Sequence, residues 1–363
     1  MSKKIEFHGS DLEKIEEYYR IPKEEIIQFG ANVNPLGLPE TVKEKIAANL
    51  DIISSYPDRS YTSLKETIGR YCQCSPANVV VGNGSTELIS LLISQRGAKK
   101  ALVLGPTYSE YKRELSLSGG EILYYHLDES KDFILDTEDF LDSVPKGTDL
   151  LIICNPNNPT SSAITRSCLE KILAFCSSAD IFVMIDETYI EFAPDMQKVT
   201  AVPLTDKFDN LMVIRGVSKF FAAPGLRFGY GITSNREFTS MLLTHQNPWS
   251  LNSIGAFAGE LMLQDGGYIK KTKELISSER ERLCRELSKL DAFKAYPPSA
   301  NFILLRILKD GVTSFQVFEA AIRQKMMIRD CSSFFKNLNG EFVRFCIMKP
   351  EDNERLLKVF RSI

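Results

Sequence analysis

Short apolar runs recur along the first two thirds of the chain, each followed by a turn rich in Gly, Pro, Asn or Ser and then by a stretch of helical character. The runs cover residues 78–81, 101–104, 150–154, 181–185, 211–214 and 227–232. Such runs are typical of strands buried on both faces of a mainly parallel sheet. These sheets bind ligands outside the carboxyl ends of their strands, so we expect the polar residues that follow the runs to meet in one pocket.

The pattern changes near residue 248. Residues 252–290 interleave Glu, Lys and Arg with Leu and Ile at helical spacing, and shorter strand-like and helical stretches follow to the end of the chain. This arrangement predicts a smaller α+β unit. Residues 1–45 precede the sheet pattern and could pack on either unit. We predict three parts: a segment 1–45 that adds to the small domain and the substrate site, a large domain 46–247 and a small domain 248–363.

Composition narrows the class of partner. The 363 residues carry a net charge of −3, which favours a small-molecule partner over a nucleic acid or a membrane surface. No apolar run approaches the roughly 18 residues that a membrane span needs, and the N-terminus does not resemble a signal peptide. The three histidines are far apart and the eight cysteines are scattered, so we expect no metal site and reduced thiols in a cytoplasmic protein.

Two polar loops follow predicted strands. Residues 82–87, Gly-Asn-Gly-Ser-Thr-Glu, open a helix and would leave backbone N–H groups aimed at an anion, although an ordinary N-capped helix has the same pattern. Residues 155–160, Asn-Pro-Asn-Asn-Pro-Thr, form either a simple turn or a rigid support for a side-chain amide donor.

Two charged residues also stand at strand ends. Asp186 ends an apolar run and needs a partner there, which is either a protonated ring nitrogen or the first turn of a helix that it caps. Lys219 follows the run at 211–214. A lysine inside the crevice of a sheet can have its pKa lowered by burial and become a Schiff-base nucleophile, whereas most single lysines lie on the surface.

The order of six motifs is more specific than any one of them. They are Gly-Asn-Gly-Ser-Thr-Glu at 82–87, Pro-Thr-Tyr at 106–108, Asn-Pro-Asn-Asn-Pro-Thr at 155–160, Asp-Glu-Thr-Tyr at 186–189, Ser-Lys at 218–219 and Gly-Leu-Arg-Phe-Gly at 225–229. Over nearly its whole length the chain resembles fold-type I pyridoxal-phosphate enzymes of the class I and II aminotransferases. This resemblance implies the aspartate-aminotransferase fold: a large α/β domain that binds pyridoxal 5'-phosphate on a mainly parallel seven-stranded sheet sandwiched by helices, plus a smaller α+β domain.

The resemblance also implies roles for individual residues. Lys219 would carry the cofactor through a Schiff base and later move a proton, Asp186 would pair with the ring nitrogen, and Tyr108 would stack on the ring. Asn158 and Tyr189 would bond the phenolic oxygen of the ring, and the cofactor phosphate would be held by Gly84, Ser85, Thr86, Ser218 and Arg227. Tyr56 matches a tyrosine that reaches the phosphate of the neighbouring subunit, which implies a homodimer. Gly216 departs from the family, where many members carry Ser or Thr, so we expect one phosphate hydrogen bond fewer.

The cofactor residues do not separate transamination from decarboxylation, and two families compete. Histidinol-phosphate aminotransferases share Asn-Pro-Leu-Gly at 34–37, Tyr-Pro-Asp at 56–58 and a late arginine. Threonine-phosphate decarboxylases of cobalamin biosynthesis share these and also account for residues 8–9, 247–252 and 328–334. The resemblance therefore favours a pyridoxal-phosphate-dependent carbon–carbon lyase that converts L-threonine O-3-phosphate to (R)-1-aminopropan-2-yl phosphate. The alternative is histidinol-phosphate transamination with 2-oxoglutarate in histidine biosynthesis.

The substrate would be a phosphorylated amino acid or amino alcohol, and four residues are candidates to bind it. Arg329 and Arg344 would bind its anionic groups, because guanidinium forks match carboxylate and phosphate, and His8 and Asn32 would add phosphate contacts. The alternatives are surface ion pairs for the arginines and a disordered terminus for His8. A catalytically inactive binding module is disfavoured because the cofactor lysine and aspartate are both present. Threonine phosphate and serine phosphate differ by one methyl group, which the sequence does not resolve.

Overall fold

The computed structural model describes Phe7, Gly9, residues 11–334 and residues 341–363. Its strands are β1 (Ile27–Gln28), β2 (Val79–Asn83), β3 (Lys100–Gly105), β4 (Glu121–His126), β5 (Leu150–Cys154), β6 (Phe182–Asp186), β7 (Leu211–Gly216), β8 (Phe228–Ile232), β9 (Phe293–Ala295), β10 (Phe302–Ile307), β11 (Met326–Met327), β12 (Arg329–Asp330) and β13 (Phe342–Cys346).

The α-helices are α1 (Leu12–Tyr19), α2 (Glu40–Ala48), α3 (Thr62–Cys72), α4 (Gly84–Arg96), α5 (Ser109–Ser118), α6 (Thr137–Ser143), α7 (Arg166–Ser178), α8 (Met196–Val199), α9 (Arg236–His245), α10 (Ser253–Gln264), α11 (Gly266–Leu287), α12 (Ser314–Ile322) and α13 (Pro350–Arg361). None of the helices in the described ranges has the length and apolar character that crossing a bilayer demands.

A seven-stranded sheet with the order β2-β8-β7-β6-β5-β3-β4 forms the centre of the molecule. The strands β3 to β7 are parallel, and β8 runs antiparallel to both of its neighbours, so the predicted mainly parallel sheet is confirmed. Alternate residues of each central strand enter hydrophobic clusters on opposite faces of the sheet, as Val183 and Met184 of β6 illustrate. Burial on both faces explains why these strands have continuous apolar sequences.

Two details of the sheet differ from the apolar runs. Arg227 does not belong to the last run, because its φ of 52° is left-handed and the strand begins at Phe228. The edge strand β4 was not among the predicted strands, although its residues 122–125 are Ile-Leu-Tyr-Tyr. Only one side of it is paired, and its side chains are exposed or half-buried.

A second, antiparallel sheet with the order β12-β13-β10-β9 lies in the C-terminal part of the chain. The N-terminal segment joins this part, because β1 pairs in parallel with β11. In contrast, α10 contacts α2 and α3, although it follows the predicted boundary at residue 248. The division into 1–45, 46–247 and 248–363 stays a prediction.

Candidate active site

A cavity opens beside the carboxyl ends of β5 and β6, where the two sheets and the N-terminal segment meet. Its walls include most of the residues singled out in the sequence: Asn32, Ser85, Thr86, Tyr108, Asn158, Asp186, Tyr189, Ser218, Lys219, Arg227, Arg329 and Arg344. Gly84 lies directly beside this wall, because a Cβ added to it would be 2.5 Å from Nη2 of Arg227. The expected convergence at one pocket therefore holds for these residues.

Tyr56 is a predicted site residue that does not line the cavity of this chain. Tyr56 is 80% exposed and packs against Trp249, with ring centroids 4.8 Å apart. Its exposure agrees with a role outside the chain's own cavity but does not test that role. His8 lies outside the described residues.

Asp186 is the last residue of β6 and is buried. Its Oδ1 accepts hydrogen bonds from the backbone N–H and the hydroxyl of Thr188, at 2.9 and 2.6 Å, and its Oδ2 accepts one from the hydroxyl of Tyr111 at 2.6 Å. Burial raises the pKa of Asp186, because desolvation outweighs the opposing effect of these donors. The carboxylate thus closes a local turn and also faces the cavity.

Lys219 lies in the loop after β7 and is half-buried. Its Nζ donates a hydrogen bond to the carbonyl oxygen of Ala31 at 2.7 Å. Desolvation, assisted by the positive charge of Arg344, lowers the pKa of the Lys219 ammonium from 10.5 to about 8. This lysine is therefore not a surface residue, and an appreciable fraction of its amine is neutral near physiological pH.

The start of α4 forms a cradle for an anion. Gly84 has a φ of 80°, a conformation that favours glycine, and it turns the chain from β2 into the helix. Ser85 and Thr86 occupy the first helical turn, where free backbone N–H groups and the helix dipole attract negative charge. A Cβ at Gly216 would lie 3.6 Å from Oγ of Ser85, so the departure from the family pattern falls at this cradle.

Arg344 is buried on β13. Its Nη1 donates to Oδ1 of Asn158 and its Nη2 donates to the carbonyl oxygen of Gly30 at 2.7 Å, while its Nε has no partner among the described residues. Burial lowers the pKa of Arg344. Beside it, Nδ2 of Asn32 donates to the hydroxyl of Tyr189 at 3.3 Å, and Oδ1 of Asn32 also has no partner in the described part of the chain. These unpaired polar atoms favour a polar ligand.

Arg329 on β12 is the cross-strand partner of Arg344. Its Nη1 donates to the carbonyl oxygen of Phe7, and its guanidinium lies 5.4 Å from the ring centroid of Phe334. Side chains of directly paired residues stand about 5 Å apart at Cβ, and like charges there destabilise a sheet. Within the described ranges neither arginine has a carboxylate partner, so the pair favours a ligand with negative groups. The burial of Arg344 also rules out a surface ion pair for that residue.

Several contacts at the site had not been recognised in the sequence. Tyr111 and Thr188 both bond Asp186. Tyr111 could have been found, because it follows Tyr108 by three residues and thus lies one turn along the same helix. The carbonyl groups of Gly30 and Ala31 could not have been found, since a backbone oxygen leaves no mark in the sequence.

The chain is similar to known proteins over nearly its whole length. The model of the family aminotransferase class I and II matches residues 24–360. The chain is 38% identical over 333 residues to a putative threonine-phosphate decarboxylase of Caldanaerobacter subterraneus subsp. tengcongensis, covering 92% of this chain and 89% of that one. It is 32% identical over 356 residues to the threonine-phosphate decarboxylase of Salmonella typhimurium, covering 98% and 96%. The solved histidinol-phosphate aminotransferase of Clostridium acetobutylicum superposes with a TM-score of 0.85 at 32% identity, covering 92% and 98%.

Proposed function

We propose that this chain, which belongs to the aminotransferase class I and II family, decarboxylates threonine phosphate to 1-aminopropan-2-yl phosphate. The observation that carries the proposal is the pair of cross-strand arginines, Arg329 and Arg344, in the wall of the cavity that also contains Lys219. Threonine phosphate brings a carboxylate and a phosphate in one molecule, which matches two guanidinium groups. The two threonine-phosphate decarboxylases reported above support the same substrate.

Pyridoxal 5'-phosphate is the cofactor of this family, and the residues of the cavity fit it. The cradle at Ser85 and Thr86 suits the phosphate, Asp186 suits a ring N–H group, and Lys219 is a partly neutral amine. When bound, the cofactor acts as an electron sink for charge that develops at the Cα of the substrate. We propose that Tyr108 packs on the ring and that Asn158 and Tyr189 bond its phenolic oxygen. Gly84, Ser218 and Arg227 would complete the phosphate site.

The arginines would decide which bond breaks. If Arg329 and Arg344 hold the carboxylate and the phosphate of the substrate, both ends of the molecule are fixed, and so is the torsion about the bond between Cα and nitrogen. Held in this way, the substrate would present the bond between Cα and its carboxylate carbon for cleavage, and carbon dioxide would leave. Lys219 is suited to return a proton to Cα, because its pKa of about 8 is close to physiological pH. Asn32, which also lines the cavity, would add a contact to the phosphate.

We also propose a homodimer in which Tyr56 reaches the phosphate of the neighbouring site. Tyr56 packs against Trp249, which is 39% exposed, and Ile53 and Leu50 nearby in the chain are 63% and 52% exposed. Large exposed apolar side chains often mark a surface that another protein covers. A second copy of the chain fits the expected role of Tyr56.

A cytoplasmic location and a role in cobalamin biosynthesis complete the proposal. All eight cysteines are free thiols, which is usual for proteins of a reducing compartment. The pathway is supported by an adenosylcobalamin biosynthesis bifunctional protein of Leptospira interrogans, to which the chain is 33% identical over 360 residues, covering 98% of this chain and 41% of that one.

Histidinol-phosphate aminotransferase is the second candidate. The superposition on the Clostridium acetobutylicum enzyme favours it, because the identity of 32% equals that to the Salmonella typhimurium decarboxylase. The proposed cofactor residues serve either reaction, so they do not discriminate between the two. Histidinol phosphate, however, carries a phosphate and no carboxylate, so in that reaction only the second substrate, 2-oxoglutarate, would offer a negative group to each of the paired arginines.

Two parallel assays distinguish the candidates. The purified holoenzyme is incubated with threonine phosphate and without any 2-oxo acid, and carbon dioxide is measured. A second sample receives histidinol phosphate and 2-oxoglutarate, and glutamate is measured. We expect carbon dioxide in the first and little glutamate in the second. Robust glutamate formation without carbon dioxide release would replace the decarboxylase by the aminotransferase.

A further inference from the structure

The hydrogen bonds of Asp186 leave one acceptor position open. An ionised carboxylate offers about four lone-pair positions. Thr188 occupies two of them on Oδ1, through its backbone N–H and its hydroxyl, and Tyr111 occupies one on Oδ2. One position on Oδ2 therefore remains for a donor in the cavity, which Asp186 lines.

We propose that Tyr111 and Thr188 are positioning residues that keep Asp186 ionised and leave this single position on Oδ2 for the ring N–H of the cofactor. The inference rests on the cofactor role proposed for Asp186. It gives the two hydroxyl groups a part in the chemistry that the motifs of the chain do not indicate.

Because Asp186 is buried, it needs hydrogen-bond donors to stay ionised. In the described part of the chain, no lysine, arginine or histidine pairs with Asp186. The carboxylate thus depends on neutral donors alone to offset its desolvation, which by itself favours the protonated acid. A protonated acid would have no charge to hold the ring nitrogen in its charged form, so each lost donor should weaken the electron sink.

Tyr111 is suited to be a permanent donor. Its side chain is 1% exposed, and burial holds the pKa of its hydroxyl well above the usual value, so the proton stays on the tyrosine. Its ring also contacts the ring of Tyr108 edge to face, with centroids 5.6 Å apart. The start of α5 therefore carries both the residue expected to stack on the cofactor and the donor to Asp186.

The test is a pH titration of the visible absorbance of the substrate-free holoenzyme. A positive charge on the ring nitrogen repels the proton on the Schiff-base nitrogen at Lys219 and lowers the pH at which that proton leaves. Tyr111→Phe removes one donor to Asp186 and should raise the titration midpoint by about one pH unit. Thr188→Val, which keeps the backbone donor, should raise it by less. The dissociation constant of the cofactor, measured with apoenzyme, should rise about tenfold in Tyr111→Phe.

Tyr230→Phe is the matched control. Tyr230 is equally buried, its hydroxyl bonds Sγ of Cys72 at 3.5 Å, and it lies outside the cavity. We expect Tyr230→Phe to be destabilised about as much as Tyr111→Phe. The midpoint of its absorbance titration should nevertheless stay at the native pH. If Tyr111→Phe does not fold, the test rests on Thr188→Val. Valine has nearly the same shape as threonine, so this variant should fold.

The outcomes separate this inference from the proposed function. Native midpoints in both Tyr111→Phe and Thr188→Val, together with lower melting temperatures, would show that the hydroxyls are merely structural and would overturn the inference. A raised midpoint supports it whether or not threonine phosphate releases carbon dioxide, because the titration uses no substrate. A native protein that binds no pyridoxal phosphate would overturn the proposed function and this inference together.

Discussion

At the scale of single residues, Lys219 combines an unusual environment with a specific partner. Its ammonium is desolvated and lies near the positive charge of Arg344, and its Nζ is held 2.7 Å from the carbonyl oxygen of Ala31. These features give the amine a fixed position and a lowered pKa, which are the requirements for a Schiff-base nucleophile.

Lys219→Ala should abolish turnover, with a loss of at least about a thousandfold, because it removes both the covalent attachment and the proton carrier. The cradle at α4 remains, so the variant should still bind pyridoxal phosphate, but without the visible absorbance that borohydride removes. Spectra and activity measured on one preparation check both points. Normal turnover by the variant would show that another lysine carries the cofactor.

The lowered pKa of Lys219 gives a prediction about pH. Only the neutral amine attacks the cofactor aldehyde, so the rate at which apoenzyme combines with pyridoxal phosphate should rise as the pH passes through about 8. The pH dependence is shifted to lower pH because the pKa of Lys219 in the folded protein lies below the usual 10.5. The neutral amine is therefore present at lower pH than in a free lysine. Arg344→Gln removes a repelling charge and should shift the midpoint upward. A native midpoint near 10.5 would mean that Lys219 is fully solvated.

The cofactor residues that the sequence predicted within this chain's own cavity occur in motifs of fixed order. Asp186, Lys219 and Arg227 were found in this way, and the structure brings them to one cavity. Contacts made through the backbone were not found, because the carbonyl groups of Gly30 and Ala31 carry no residue-specific signal.

At the scale of elements, the segment 30–34 links the parts of the site. Gly30 accepts from Arg344, Ala31 from Lys219, and the backbone N–H of Asn34 donates to the carbonyl oxygen of Lys219 at 3.0 Å. Asn34 is itself anchored by its side chain, whose Nδ2 lies 2.7 Å from the carbonyl oxygen of Phe220. This loop of the N-terminal part therefore sets the positions of the lysine and one substrate arginine together.

Gly30→Ala tests this segment. The added Cβ would lie 2.9 Å from the carbonyl oxygen of Gly9 and should displace the carbonyl group that orients Arg344. We expect the KM for threonine phosphate to rise about tenfold, equivalent to about 1.4 kcal/mol, with little change in the cofactor spectrum.

The control for Gly30→Ala is Gly266→Ala, since a Cβ at Gly266 meets no atom within 4 Å. Gly266→Ala should keep the native KM. If both variants keep it, the Gly30 carbonyl does not determine how the substrate arginine is placed.

How well each strand was predicted depended on its burial and its pairing in the sheet. The run at 150–154 coincides with β5, because that strand is paired on both sides and buried on both faces. The direction of β8 could not be predicted, since a buried antiparallel strand between two others has the same apolar sequence as a parallel one. The edge strand β4 was missed although residues 122–125 are Ile-Leu-Tyr-Tyr, because so short a run does not by itself distinguish a strand from other structure.

At the scale of the whole molecule, the proposed dimer predicts complementation between inactive variants. In a mixed dimer of Tyr56→Ala and Lys219→Ala, one site would combine the native Lys219 of one subunit with the native Tyr56 of the other. After random reassociation, about half of the dimers are mixed and each has one native site, so about a quarter of the native activity should return. If Tyr56 serves its own subunit, every site carries a defect and activity stays at the level of the separate variants.

The most direct test of the central claim is the number of product molecules formed per enzyme subunit from threonine phosphate when no 2-oxo acid is present. Decarboxylation returns the cofactor to its aldehyde form in each cycle, so 1-aminopropan-2-yl phosphate should accumulate far beyond one equivalent per subunit while the visible spectrum of the cofactor persists. An enzyme that only transaminates would convert its cofactor to the amine form once and stop. Product formation that ends at one equivalent or less, with loss of the visible band, would contradict the proposed decarboxylase.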